Sequence, residues 1–124
     1  MIIGLGVDLF DVARMEKELQ GSDFGCEFFT PQEISYCERQ RYPARHFAAR
    51  FAAKEAVLKA LAPDPTLPVC WRDIEVCTGD GPGPRSVSLH GNMKELAVAR
   101  GVSRVFVSMS HTDTMALAGA VLEA

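Results

Sequence analysis

Residues 50–61, RFAAKEAVLKAL, decide how the chain folds, because they form a helix whose apolar spacing is broken by charge. With Phe47 at zero and roughly 100° per residue, Leu58 falls at about 20°, Phe51 at about 40° and Leu61 at about 320°. Lys54 lands at about 340°, inside that stripe, with Glu55 on its flank at about 80° and Lys59 beyond it at about 120°. A helix that only had to pack would carry Leu or Ala at position 54. The helix is the central element, running from about Ala44 to Leu61.

Upstream, MIIGLGVDLF alternates, with Ile3, Leu5, Val7 and Leu9 on one face and Gly4, Gly6 and Asp8 on the other. This predicts a strand ending in a carboxylate, with two glycines that leave room for a close approach. Asp11 caps a short helix, VARMEKELQ, that Gly21 ends. TPQE is a strong helix start, with Thr30 as N-cap, Pro31 at the first turn and Glu33 closing a capping box. That helix ends near Tyr42-Pro43. Downstream of the central helix, APDPTLP (62–68) is a loop, since three prolines in seven residues forbid a regular element.

The second half reads as strand and turn with one helix. RDIEVCT and RSVSLHG are strands around a GDGPGP turn, Asn92 caps MKELAVAR, and Gly101 stops it. SRVFVSMS and MALAGAVLEA form a last pair of strands joined by HTDT. The chain is therefore one α+β domain over residues 1–124, an antiparallel sheet packed against a long central helix and shorter helices.

Composition narrows the function. With 124 residues and 48% hydrophobic content, the chain can bury a modest core and is not a disordered segment. A net charge of −3 argues against general nucleic-acid binding, and no run is long enough to span a membrane. No stretch reads as a secretory signal, and the four cysteines (Cys26, Cys37, Cys70, Cys77) show neither a C-x-x-C pair nor zinc-site spacing. Reduced thiols in a cytoplasmic protein are the expectation. Eight of the 13 Lys and Arg residues lie between Arg14 and Lys59, so that half can present a basic face to an anionic ligand or an acidic partner.

Three features can carry chemistry, and each has a plainer reading. Asp8 is a metal ligand or a helix-start acid; Glu55 and Lys59 are site residues or an i, i+4 surface pair; His111 is a ligand contact or a surface turn histidine. Lys54 either snorkels out of the core or is buried and paired, with a carboxylate of the site as candidate partner. Two carboxylates without a Cys or His cluster suit Mg²⁺, which takes one or two carboxylates and draws its remaining ligands from water and phosphate. Arg50, Lys54 and Lys59 on one helix add positive charge for a phosphorylated ligand. No glycine cradle for phosphate is present, so side chains and metal must hold it.

GLGVDLFDVARME, RFAAKEAVLKAL and SMSHTDTMALAGAVL together resemble holo-[acyl-carrier-protein] synthase, the short form of 4′-phosphopantetheinyl transferase, in order, spacing and total length. The resemblance implies transfer of phosphopantetheine from coenzyme A to a serine of an apo acyl carrier protein, releasing 3′,5′-ADP. It implies that Asp8 and Glu55 hold Mg²⁺ against the coenzyme A diphosphate and that Lys59 contacts the phosphates as the third catalytic residue. It implies that Arg50, Ser110, His111 and Thr112 contact the nucleotide, that Arg14 meets the acidic carrier-protein helix, and that the enzyme is a homotrimer with each site built between two subunits. Lys54 then supports the site without direct chemistry. Two departures stand out. Residues 62–68 replace a glycine-rich loop, and proline cannot offer backbone N–H groups to phosphate. Ser35 stands where some members carry an acid proposed to help take the serine proton, which leaves that proton to a water of the metal site or to Glu55 acting through water. Two other readings are a metal-dependent phosphoanhydride hydrolase using the same residues and a non-catalytic carrier-protein-binding or nucleotide-binding module.

Overall fold

The computed structural model describes residues 1–21, 23–77 and 85–124. Strand β1 (Ile2–Asp11) leads into α1 (Val12–Leu19), the short α2 (Phe24–Phe28), α3 (Pro31–Glu38) and the central α4 (Pro43–Leu61). A 3₁₀ turn (Trp71–Asp73), β2 (Ile74–Val76), β3 (Val87–Leu89), α5 (Gly91–Ala99), β4 (Arg104–His111) and β5 (Met115–Glu123) complete the order. The architecture is α+β. β5 lies between β1 and β4 in an antiparallel three-stranded sheet, and β2 pairs antiparallel with β3 in a second, two-stranded one.

Helix α4 is the axis of the fold, with 13 of its 19 residues buried. It is not the one-sided helix its spacing describes: small residues at 48, 49, 52, 53, 56 and 60 let neighbours close in from several sides. Phe47 and Phe51 fill one side, meeting Phe29 and Phe10 edge-on with ring centroids 5.0 Å apart in each pair. Burying each such ring contributes roughly 1.5–3 kcal/mol.

The opposite contact sets the position of β1. A Cβ on Gly6 would overlap the Ala56 carbonyl, and one on Gly4 would crowd the Ala60 carbonyl. Glycine is required there because the helix backbone lies directly on the strand backbone. The glycine face is thus the covered one, while the apolar face of β1 is open: Leu5 is 74% exposed, and Val7, Leu9, Phe106 and Leu117 are exposed beside it.

Local signals held in detail at α1 and α3. Asp11 accepts from the Arg14 amide at 3.0 Å, and Thr30 and Glu33 form the reciprocal capping box. Elsewhere the chain departs from its sequence reading. α3 stops at Glu38 because the Arg39 and Gln40 amides turn back to the Tyr36 and Cys37 carbonyls, at 3.3 and 3.1 Å. The strand expected over 72–78 opens as the 3₁₀ turn, and the turn expected over 79–84 lies outside the described residues. Asn92 is not the cap of α5. The helix starts at Gly91 with His90 flanking it, and the His90 amide is held by the Asp73 carbonyl at 2.8 Å. Gly101 (φ 76°) does end it: its amide bonds Val98 O at 3.0 Å and the Val102 amide bonds Ala97 O at 2.9 Å, a Schellman closure.

Candidate active site

Because Ala56 and Ala60 rest on the β1 glycines, the residues just before them, Glu55 and Lys59, flank the strand where Asp8 projects toward the helix. Lys59 Nζ donates to Asp8 Oδ1 at 2.9 Å and to the Val7 carbonyl at 3.2 Å. The Lys59 ammonium is raised above its ordinary pKa, first by that hydrogen bond and then by the Asp8 charge. Glu55 lies beside the same carboxyl. Its pKa is raised by burial first, then by the Asp8 charge and a hydrogen bond between the two carboxyls, against the lowering pull of Lys59 and Arg14. Arg14, in the first turn of α1, lays its guanidinium 5.0 Å over the Phe10 ring at the rim of this site.

The structure therefore brings Asp8, Glu55 and Lys59 together from positions 47 and 51 residues apart. Two neighbouring carboxyls, one of them raised in pKa by burial first and by the other's charge second, make an all-oxygen donor set that fits a hard divalent cation. Among the described residues no group of three or more His, Cys, Asp and Glu side chains is arranged for a metal. A shallow groove of about 340 Å³ opens here, lined by Val7, Asp8, Leu9, Lys59 and Leu117. It runs onto the exposed apolar face of the sheet.

A second cluster sits nearer the start of α4. Arg50 is only 2% exposed, and its guanidinium stacks 4.1 Å over the Tyr36 ring with Nε and Nη2 lacking any hydrogen-bond partner. The His46 ring meets His111 at 5.0 Å and Tyr36 at 6.1 Å. His46 is held below its ordinary pKa, by burial first and then by His111, Arg50 and Arg45. Orphaned buried donors beside two histidines suit an anion. His46 was missed in the sequence, although its spacing of four from Arg50 puts both on one helix face.

The remaining expected residues are placed less directly. His111 ends β4 as a strand residue, whereas Ser110 alternates to the exposed face with Phe106 and Ser108. Thr112 Oγ1 is engaged inside the β4–β5 turn, accepting from the Met115 and Thr114 amides at 3.0 and 3.2 Å. Lys54 corrects the reading of three cations for one ligand: it is fully buried, and its partner is Glu33 at 2.8 Å, not a carboxylate of the site.

The family model of the 4′-phosphopantetheinyl transferase superfamily matches residues 4–116. The chain belongs to this superfamily. It is 42% identical over 125 residues to the holo-[acyl-carrier-protein] synthase of Syntrophus aciditrophicus, with 99% of this chain and 97% of that one covered. The crystal structure of the Neisseria meningitidis holo-[acyl-carrier-protein] synthase superposes with a TM-score of 0.86 at 30% identity, covering 100% of both chains. That of the Bacillus anthracis synthase in complex with CoA (3′,5′-ADP) gives 0.79 at 30% identity, covering 100% of this chain and 98% of that one. The chain is an enzyme of the holo-[acyl-carrier-protein] synthase kind, transferring the 4′-phosphopantetheine group of coenzyme A to an acyl carrier protein.

Proposed function

We propose that this transfer runs on Asp8, Glu55 and Lys59 within one catalytic domain spanning 1–124. The observation that carries the assignment is the Glu55–Asp8 carboxyl pair, closed on one side by the exposed Lys59 ammonium. Asp8 and Glu55 would hold Mg²⁺, which supplies charge neutralisation to the coenzyme A diphosphate when bound. The carrier-protein serine oxygen attacks the β-phosphorus, the bond from that phosphorus to the bridging oxygen breaks, and 3′,5′-ADP leaves with the bonding pair. Lys59 steadies the charge gathering on the departing diphosphate oxygen. The serine proton passes through water to a Glu55 carboxylate oxygen, since Ser35, exposed on α3, offers no carboxylate.

The orphaned Arg50 donors and His111 support the reading of that end of α4 as a nucleotide phosphate contact; Thr112 follows His111 in the chain, and Ser110, on the other face of β4, would join such a contact from a neighbouring subunit. Arg14, on the rim beside Glu55, is the contact for the acidic carrier-protein helix. A homotrimer with sites between subunits is supported by two features. Leu5, Val7, Leu9, Phe106 and Leu117 form an apolar face of the kind association covers. Ser110 and His111 also sit on opposite faces of β4, so one chain does not turn both toward the Arg50 end of α4. Four cysteines without a disulfide support a cytoplasmic enzyme.

The test is mass spectrometry of an apo carrier protein after incubation with this protein, coenzyme A and Mg²⁺. A gain of one phosphopantetheine is expected; release of 3′,5′-ADP without any acceptor would mark a hydrolase instead. For assembly, sedimentation should give three chains, and Leu5→Glu should leave single ones.

A further inference from the structure

Among the described residues three charged side chains are buried, Glu33, Arg50 and Lys54, and the transfer chemistry has no use for Lys54. Its ammonium is nonetheless fully engaged. It donates to Glu33 Oε1 at 2.8 Å, to the Trp71 carbonyl at 3.0 Å and to the Ile74 carbonyl at 2.6 Å, which accounts for all three protons. Glu33 is as complete: Oε1 also accepts from the Thr30 amide at 2.9 Å, and Oε2 from the Val76 amide at 3.0 Å. The bonds tie α4 to the start of α3, the 3₁₀ turn and β2.

Net stability is a poor reason to keep such a pair, since well-packed apolar replacements are often neutral or better. Geometry is a better one. On its β1 side α4 rests on Gly4 and Gly6 through Ala56 and Ala60, a contact that fixes how close the helix comes. That backbone contact has no interlocking side chains of its own and resists rotation of the helix about its axis only weakly; the Phe51–Phe10 edge contact restrains the helix one turn before Glu55. Lys54 reaches out on another side, one residue and roughly 100° from Glu55. A rotation of roughly 15° would carry a side-chain tip about 6 Å from the axis through about 1.5 Å. Reactive constellations tolerate displacements of only about 0.5 Å.

We infer that Lys54, clamped by Glu33 and the Trp71 and Ile74 carbonyls, is a positioning residue that fixes the rotation of α4 and so holds Glu55 and Lys59 against Asp8. The inference rests on Asp8 and Glu55 being the Mg²⁺ pair, and its test separates the two. Metal-free protein is titrated with Mg²⁺ by calorimetry, and kcat and KM are measured well below each variant's Tm. Lys54→Met is expected to weaken Mg²⁺ binding and lower kcat by roughly ten- to a hundredfold, the range found for groups that orient metal ligands, with the KM for carrier protein unchanged. Glu33→Asp keeps both charges and withdraws the carboxylate by one methylene; it should shift the same two quantities by a smaller factor, and it carries the test if Lys54→Met does not fold. Val107→Ala, a cavity in β4 that removes none of the clamp's hydrogen bonds, should lower Tm and leave both quantities alone. A folded Lys54→Met or Glu33→Asp with wild-type Mg²⁺ affinity and kcat overturns the positioning role. Undiminished Mg²⁺ binding in Glu55→Gln would overturn the metal pair itself.

Discussion

Helix α4 carries two lysine–carboxylate pairs of nearly the same length, Lys54–Glu33 at 2.8 Å and Lys59–Asp8 at 2.9 Å. Their surroundings make them different objects. Both side chains of the first pair are 0% exposed, whereas Lys59 is 55% and Asp8 12% exposed. Within the first pair every charge finds its complement, and backbone groups take up what remains. At the second, Glu55 adds a further carboxyl that Lys59 does not balance, and its pKa is raised, by burial first and then by the Asp8 charge. A satisfied buried pair can only hold the helix; an unbalanced pair at a groove has capacity left for a cation and a phosphate. Burial and the count of neighbouring charges, not bond length, separate structure from chemistry here.

The largest expected effect tests the unbalanced side. Glu55→Gln keeps the shape of the side chain and removes one of the two carboxylates, and Asp8→Asn removes the other. Each should lower transfer by about a thousandfold or more, since lost charge stabilisation at a reacting phosphate is of that order. The check is the rate of phosphopantetheine gain by an apo carrier protein under saturating Mg²⁺ and coenzyme A. Wild-type turnover in either variant would end the assignment.

Next come the two lysines, whose removal should differ in its effect on stability. Lys54→Met strands Glu33 as a buried charge, and breaking such a pair costs about 3–5 kcal/mol, read as a shift in the urea midpoint. Lys59→Met should leave the midpoint where it is, because an exposed pair contributes little to folding. It should instead lower kcat by about a hundredfold, the size of one lost charge-stabilising donor. If Lys59→Met unfolds the protein while Lys54→Met is tolerated, the contrast between the pairs is wrong.

These contrasts show which parts of the molecule its sequence makes legible. Signals confined to a few residues were readable: Asp11 and the Thr30–Glu33 box place α1 and α3, and the glycines at 4 and 6 mark where something comes close. The Asp8–Glu55 pair was suggested by residue type and given its role by family resemblance; the packing of Gly6 on Ala56 explains their proximity physically. What could not be read depends on contacts between distant residues. Glu33 closes a capping box locally and also neutralises Lys54, 21 residues further on, and only the second role explains why Lys54 lies in the apolar stripe. From Gly4 onward the alternation of β1 named its two faces, whereas the register shift between Ile2 and Gly4 packs Ile3 against the core; periodicity does not say that the glycine face is the covered one, and the bulk of α4 decides that. The clustering of His46 with His111 depends on β4 folding back beside the first turns of α4, a tertiary fact without a local signal.

The smallest expected effect follows from the sign of the Glu55 shift. A carboxyl whose folded pKa lies above its unfolded value contributes stability that is fully present below the unfolded pKa and lost as pH rises through the folded one. In metal-free protein at neutral pH, ionised Glu55 beside Asp8 is therefore a cost, and Glu55→Gln should remove it. Glu55 is partly exposed and water screens much of this cost, so the rise in Tm should be only about 2 °C. The difference should vanish below the ordinary carboxylate range, where wild-type Glu55 is already neutral. Saturating Mg²⁺ should reverse the order, stabilising the wild type and not the variant. By the same sign, Mg²⁺ affinity should begin to fall on acidification while ordinary carboxylates are still ionised, because protons compete for Glu55 earlier. Thermal scans in chelator and in Mg²⁺, at neutral pH and near pH 4, test all of this with the substrates absent. A Glu55→Gln protein less stable than wild type in chelator at neutral pH would mean that neither burial nor Asp8 makes ionised Glu55 a cost, and that the electrostatic reason for a cation there is absent.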